Sequence, residues 1–117
     1  MTRVLFVCSQ NKLRSPTAEQ VFANRPGFEV ASAGTDAGAE SLVSSDDIEW
    51  ADVIFVMERK HRSKLSKQFR AQLKNKRVVC LDIPDEFQYM DPALVRILEA
   101  KVGPFFSRSS RPNPQES

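Results

Sequence analysis

Histidine and cysteine are scarce in this chain of 117 residues, which has one histidine and two cysteines. His61, Cys8 and Cys80 are too few, and too widely spaced, to form a zinc site of cysteine and histidine ligands. No Cys-x-x-Cys pair occurs, and two cysteines without a secretory signal favour reduced thiols over a disulfide framework. The sequence therefore predicts neither a metal nor another cofactor.

Long apolar runs are also missing. The longest ones have the length of a strand and cover Val4–Val7, Val53–Met57 and Val78–Leu81. Such runs predict no transmembrane span and no hydrophobic core of a signal peptide. We expect a soluble cytoplasmic protein with a single domain over residues 1–106. Residues 107–117 lack apolar side chains and are predicted to be a disordered tail.

Charge is unevenly distributed along the chain. Residues 59–77 contain nine of the seventeen lysines and arginines, whereas residues 29–58 contain eight acidic residues and no basic one. The apolar residues Leu65, Phe69 and Leu73 recur with helical spacing inside the basic segment. This pattern predicts one cationic helix, with His61 exposed on it. Such a face is usually solvated, so a nucleic-acid partner is possible but not favoured.

Short apolar segments and helical patterns alternate along the chain. Strands are predicted at Arg3–Cys8, Phe28–Ser32, Asp52–Met57 and Arg77–Leu81. Helices are predicted after Ser15-Pro16, as one turn at 46–50, at 59–76 and at 93–106. Strands joined by helices imply a parallel sheet with right-handed crossovers, in which ligands bind beyond the carboxyl ends of the strands. The loop from Cys8 to Arg14 lies at that edge.

The residues of this loop suit a bound phosphate. Backbone N–H groups that wrap in front of a helix cradle an anion, and Arg14 adds a planar fork for two phosphate oxygens. Their positive potential favours Cys8 as a thiolate, which is the nucleophilic form of cysteine. In-line attack on a phosphomonoester would give a phosphocysteine, and Arg14 with the amides would stabilise the charge without a metal. The reaction also needs a general acid for the leaving oxygen.

The stretch "VLFVCSQNKLRSPTAE" resembles the low-molecular-weight protein tyrosine phosphatase family, whose first loop reads approximately V-L-F-V-C-x-G-N-x-C-R-S-P-x-A-E. The segments "SAGT" at 32–35 and "ADVIFVM" at 51–57 are similar to later family segments in the same order. The resemblance implies an α/β fold, a flavodoxin-like three-layer sandwich with a four-stranded parallel sheet of order 2-1-3-4. It also implies a metal-independent phosphatase with Cys8 as nucleophile and Arg14 as phosphate clamp.

Several positions depart from the family pattern. Gln10 replaces the usual glycine, and Leu13 replaces a second cysteine, so no disulfide can form beside Cys8. The chain is shorter than typical members between Thr35 and Asp46, which predicts a more open pocket. Only two cysteines are present, although related arsenate reductases use three, so arsenate reduction is disfavoured.

The resemblance implies an aspartate as general acid on the loop before the last helix. Asp85 ranks first by its distance after the fourth strand, Asp91 second and Asp82 third. Asp91 precedes Pro92 and fits a helix cap equally well. Phe87 and Tyr89 follow Asp85 and are expected to flank a substrate ring.

The remaining loop residues are assigned to substrate binding. Asn11 tolerates the left-handed backbone that an anion loop needs. The resemblance gives Ser15 the role of stabilising the leaving thiolate and pairs Ser32 with Asn11. Lys12 adds a cation beside the substrate, so it should favour anionic substrates and repel a guanidinium such as phosphoarginine. The predicted substrate-binding residues are Ser9, Gln10, Asn11, Lys12, Leu13, Ser15, Phe87 and Tyr89.

Two functions from different classes remain open at this point. The first is a cysteine-dependent phosphatase that acts on phosphotyrosine, a nucleotide or another small phosphate ester. The second is a catalytically silent module that binds phosphate or nucleic acid through the same loop and the cationic helix. The sequence does not predict an oligomeric state.

Overall fold

Strands and helices alternate in the computed structural model of the protein, which describes residues 1–110. The elements are β1 (Thr2–Cys8), α1 (Arg14–Val21), β2 (Phe28–Gly34), α2 (Ser45–Trp50), β3 (Val53–Val56), α3 (Arg59–Gln68), α4 (Arg70–Leu73), β4 (Arg77–Cys80) and α5 (Pro92–Ser110). All strand pairs are parallel, and the strand order is β2-β1-β3-β4. The predicted flavodoxin-like sheet is thus confirmed.

The two faces of the sheet bury separate apolar clusters because alternate side chains of a strand point to opposite sides. On one face, Phe6 of β1 packs with Phe22 and Phe106, which stack with their ring centroids 4.5 Å apart. On the other face, Leu5 packs in a cluster with Leu65 of α3. Helices therefore cover both faces, and β1 and β3 are buried on both sides.

Several element bounds differ from the sequence-based expectation. β2 continues to Gly34, where it pairs with Cys8 at the end of β1. The predicted cationic helix breaks at Phe69, which separates α3 from α4. α5 ends at Ser110, four residues into the segment predicted as a tail, and residues 111–117 lie outside the described part of the chain. No helix within residues 1–110 is long and apolar enough to cross a membrane.

Candidate functional site

The loop after β1 is tied to the segment that follows β2. The carbonyl oxygens of Cys8, Ser9 and Gln10 accept hydrogen bonds of 2.9–3.0 Å from backbone N–H groups within residues 35–40. These bonds turn the three carbonyl groups toward that segment. The loop can therefore offer N–H groups, rather than carbonyl oxygens, to an anion on its other side.

Gly34 lets the loop and the segment after β2 approach this closely. A Cβ atom at this position would lie 2.6 Å from Ala39 Cβ, 2.7 Å from Ser9 O and 3.0 Å from Asn11 N. Because two of these contacts are backbone atoms, a side chain at Gly34 would displace the loop itself. The glycine of the "SAGT" segment is thus required by the close contact with the loop.

A network of hydrogen-bonded polar groups contacts the thiol of Cys8. Asn11 has a φ of 57°, the predicted left-handed conformation, and its N–H lies 3.3 Å from Cys8 Sγ. Asn11 Nδ2 donates to Ser15 Oγ at 3.0 Å and to Ser32 Oγ at 2.9 Å, and Ser32 Oγ donates to Glu19 Oε1. Since Ser15 Oγ accepts from Asn11, its own proton is free for Cys8 Sγ, which lies 2.9 Å away. Ser15 can thus stabilise a thiolate, whereas it makes no capping bond to α1.

Arg14 is buried and held in a fixed orientation. Its Nη1 donates to Glu58 Oε1 at 2.6 Å and to the Ile83 carbonyl at 2.8 Å, while Nε lies 3.8 Å from Asp85 Oδ1. The hydrogen bond from Arg14 holds the pKa of Glu58 below its usual value. Nε and Nη2 make no hydrogen bond within residues 1–110, so this edge of the guanidinium is left to bind two oxygens of a phosphate.

The prediction that His61 is exposed is wrong. His61 is 1% exposed, and its Nδ1 accepts a hydrogen bond of 3.0 Å from the backbone N–H of Glu58 at the start of α3. The proton of the neutral ring therefore resides on Nε2, which donates to Ser9 Oγ at 2.9 Å. Burial, and then the charge of Arg14, lower the pKa of His61 to about 4. The ring is thus neutral near pH 7.

An open cavity of about 300 Å³ lies above the loop. Its lining residues are Cys8, Ser9, Gln10, Lys12, Leu13, Arg14, Asp36, Lys60 and Asp85. The structure therefore brings the predicted nucleophile, clamp and first-ranked acid together. Asp91 instead accepts from the backbone N–H of Ala93 as a cap of α5, and Asp82 lies beside Arg59 outside the cavity. Of the three aspartates, only Asp85 lines the cavity.

Four predicted substrate-binding residues do not line the cavity. Asn11 and Ser15 are buried behind the loop, where they support the thiol. Phe87 packs against the apolar cluster that contains Phe6, and Tyr89 is half-exposed elsewhere. The structure thus supplies no aromatic wall from these two rings. Within residues 1–110, no cluster of three or more His, Cys, Asp or Glu side chains is placed to hold a metal ion.

Gln10 fits the loop without strain. The non-glycine residues with positive φ in the described chain are Asn11, Asp82 and Met90, and Gln10 is not among them. Its side chain is exposed, and its carbonyl accepts from the N–H of Glu40. The glycine of the family pattern is therefore not needed for the loop conformation seen here.

Sequence reasoning missed four residues that shape the site, namely Asp36, Glu58, Lys60 and His61. Asp36 follows β2, and the other three follow β3. Both strands are hydrogen-bonded to β1, so the residues beyond their carboxyl ends lie next to the Cys8 loop. The predicted order of the strands could therefore have indicated these four residues, because ligands of parallel sheets bind at this edge.

A neutral, buried His61 can be tested directly because the chain has a single histidine. We expect its ring signals in NMR spectra to titrate near pH 4 and to show the tautomer with the proton on Nε2. Because the unfolded chain binds this proton near pH 6.5, stability should fall as the pH drops from about 6.5 to about 4. In His61→Asn, this part of the pH dependence should disappear. A ring that titrates above pH 6 would contradict the assignment.

This fold and this loop are similar to those of cysteine-dependent phosphatases, in which a cysteine at the end of the first strand and an arginine at the start of the first helix surround the phosphate. The family model for low molecular weight phosphotyrosine protein phosphatase matches residues 3–49. This match covers 47 of the 117 residues of the chain. The matched residues include β1 except Thr2, the whole Cys8 loop, α1 and β2.

Solved structures share the fold over nearly the whole chain. YwlE arginine phosphatase from Geobacillus stearothermophilus is 23% identical over 93% of both chains, with a TM-score of 0.78. Wzb from Vibrio vulnificus, in complex with benzylphosphonate, is 21% identical over 92% of this chain and 98% of that chain, with a TM-score of 0.74. A low molecular weight phosphotyrosine phosphatase from Vibrio cholerae O395 is 22% identical over 94% and 96%, with a TM-score of 0.71. No curated protein sequence matches the chain.

Proposed function

We propose that the protein hydrolyses a phosphomonoester through a phosphocysteine on Cys8, with Arg14 as phosphate clamp and Asp85 as general acid and then base. One observation carries this proposal, which is that these three side chains line one cavity at the carboxyl end of the sheet. The N–H groups of the loop and the free edge of Arg14 match the oxygens of a phosphoryl group.

The reaction has two steps. In the first step, the Cys8 thiolate attacks phosphorus, the bond from phosphorus to the ester oxygen breaks, and protonated Asp85 gives its proton to that oxygen. In the second step, the Asp85 carboxylate takes a proton from a water molecule that attacks phosphorus. The bond between phosphorus and sulfur then breaks, phosphate leaves, and the hydroxyl of Ser15 stabilises the restored thiolate.

Two neighbouring structures support this chemistry. A variant of YwlE arginine phosphatase with serine in place of a cysteine was solved with a phosphorylated active site serine, and its fold matches this chain with a TM-score of 0.78. Wzb was solved with benzylphosphonate, which resembles a phosphate ester. A nucleophilic cysteine also needs reducing surroundings, so we propose a cytoplasmic location.

The proposal is tested by hydrolysis of p-nitrophenyl phosphate in the presence of a chelator. We expect turnover that vanadate blocks, because vanadate takes the trigonal bipyramidal geometry of phosphoryl transfer. If no member of a panel of aryl phosphates, nucleotides and sugar phosphates is hydrolysed, the phosphatase proposal is wrong and the silent anion-binding module takes its place.

Lys12 is proposed to set the preference for anionic substrates. It lines the cavity, and no carboxylate lies within 4 Å of its ammonium group within residues 1–110. In Lys12→Ala, we expect kcat/KM for nucleotide substrates to fall about threefold relative to p-nitrophenyl phosphate, in line with one exposed charge. Equal changes for all substrates of the panel would contradict this role.

A further inference from the structure

We propose that a small polar cavity beside the catalytic one binds a second negatively charged group of the substrate, either a carboxylate or a second phosphate. This inference rests on the proposed phosphatase function and names the substrate class of that site. The side cavity has a volume of about 150 Å³ and is lined by Ser9, Thr35, Asp36, Lys60, His61 and Lys64.

The two cavities are neighbours and share part of their walls. Ser9, Asp36 and Lys60 line both of them. One small molecule can therefore place its ester phosphate above Cys8 and a second group in the side cavity. Since a water molecule occupies about 30 Å³ in the liquid, the side cavity has room for a carboxylate or a phosphate group.

The charges around the side cavity favour an anion. Lys60 and Lys64 contribute two ammonium groups, whereas Asp36 is the one carboxylate of the lining. Asp36 Oδ1 lies 3.1 Å from Lys64 Nζ, and Lys60 Nζ lies 3.8 Å from Glu58 Oε1. His61 is neutral, so the lining keeps a net positive charge of one. A second anionic group would be attracted to both lysines.

Two residues with hydroxyl groups, Ser9 and Thr35, also line the side cavity. Because His61 Nε2 donates to Ser9 Oγ, the hydroxyl proton of Ser9 is free for another acceptor. Thr35 Oγ1 is shielded from solvent and has no hydrogen-bond partner among the described residues. A buried hydroxyl without a partner is unfavourable. Because Thr35 lines the side cavity, an anion bound there would lie next to this residue and its unpaired hydroxyl.

The test compares substrates that differ in one charge. We expect 3-carboxyphenyl phosphate to be hydrolysed with a kcat/KM about three to ten times that of its carboxamide, which corresponds to two partly exposed charges. A second comparison measures kcat/KM for 1,3-phenylene bisphosphate and for phenyl phosphate. The larger of the two gains in kcat/KM shows whether the subsite prefers a phosphate or a carboxylate. The same comparison of kcat/KM for 4-carboxyphenyl phosphate and its carboxamide shows how far the subsite lies from the ester phosphate.

Lys64→Gln is the decisive variant because Lys64 lines the side cavity but not the catalytic one. In this variant, the ratio of kcat/KM for a charged substrate to kcat/KM for its neutral counterpart should fall toward one. Lys67→Gln removes the same charge from the exposed side of α3, away from both cavities, and should keep the ratio of the original protein.

The outcomes separate this inference from the proposed function. Turnover of phenyl phosphate with equal kcat/KM for charged and neutral members of every pair would overturn the subsite and leave the phosphatase intact. A preference that survives in Lys64→Gln, or that falls equally in Lys67→Gln, would also overturn it. Failure to hydrolyse any substrate would instead contradict the phosphatase proposal.

Discussion

Cys8→Ser should lose turnover of p-nitrophenyl phosphate by about 10⁴-fold or more, the scale seen when an enzyme's nucleophile is removed. A serine hydroxyl is not ionised at neutral pH, so the loop would hold a poor nucleophile above an otherwise intact anion site. Binding of inorganic phosphate should persist, because the N–H groups of the loop and Arg14 are unchanged. Steady-state kinetics and phosphate titration followed by NMR measure the two effects.

Cys80→Ser provides the matched control for this change. Cys80 lies at the end of β4, with its Sγ 3.4 Å from Asp82 Oδ1 and outside the catalytic cavity. Its replacement should therefore leave kcat close to that of the original protein. Appreciable turnover by Cys8→Ser, or an equal loss in a folded Cys80→Ser protein, would show that Cys8 is not the nucleophile.

Asp85→Asn should lower kcat/KM by about 10²- to 10³-fold on an alkyl phosphate or on phenyl phosphate, because an amide has no proton to give to the leaving oxygen. The loss should be smaller on p-nitrophenyl phosphate, since its leaving group is stable as an anion. The measurement is the dependence of kcat/KM on the leaving group, because kcat/KM reports the first step, in which that group departs. A merely structural role of Asp85 would lower all rates together.

Two further aspartates serve as controls for Asp85. Asp91→Asn should keep both activity and stability, because asparagine caps a helix about as well as aspartate. Asp82→Asn should also keep activity, since Asp82 lies outside the cavity. A strong dependence on the leaving group in Asp91→Asn, with Asp85→Asn unaffected, would transfer the role of acid to Asp91.

Much of the fold could be predicted because its signals are local. The strand-sized runs at 4–7, 53–57 and 78–81 are apolar on both faces, which fits central strands of a parallel sheet. Asp91-Pro92 marked the start of α5, and the pair indeed forms the cap and first residue. The candidate anion site could be predicted for the same reason, because its residues from Cys8 to Arg14 are contiguous in the sequence.

The parts of the site that were missed depend on long-range contacts. His61 lies in a basic segment, yet its ring is buried because it caps the start of α3 and reaches Ser9, which is 52 positions away. Phe87 follows Asp85 closely in sequence but turns toward the apolar core instead of the cavity. Burial of a histidine and the direction of a loop aromatic are set by tertiary packing, which composition and periodicity do not encode.

The tight contact at Gly34 bears on how this protein can acquire new substrates. Its position allows no added side chain, so the backbone of the proposed phosphate-binding loop is resistant to gradual change. Lys12, Lys60 and Lys64 are exposed, and their side chains form no part of the apolar clusters. If the proposed phosphatase reaction is confirmed, single substitutions at these rim positions can therefore change which phosphate esters are accepted without altering the loop that carries the reaction.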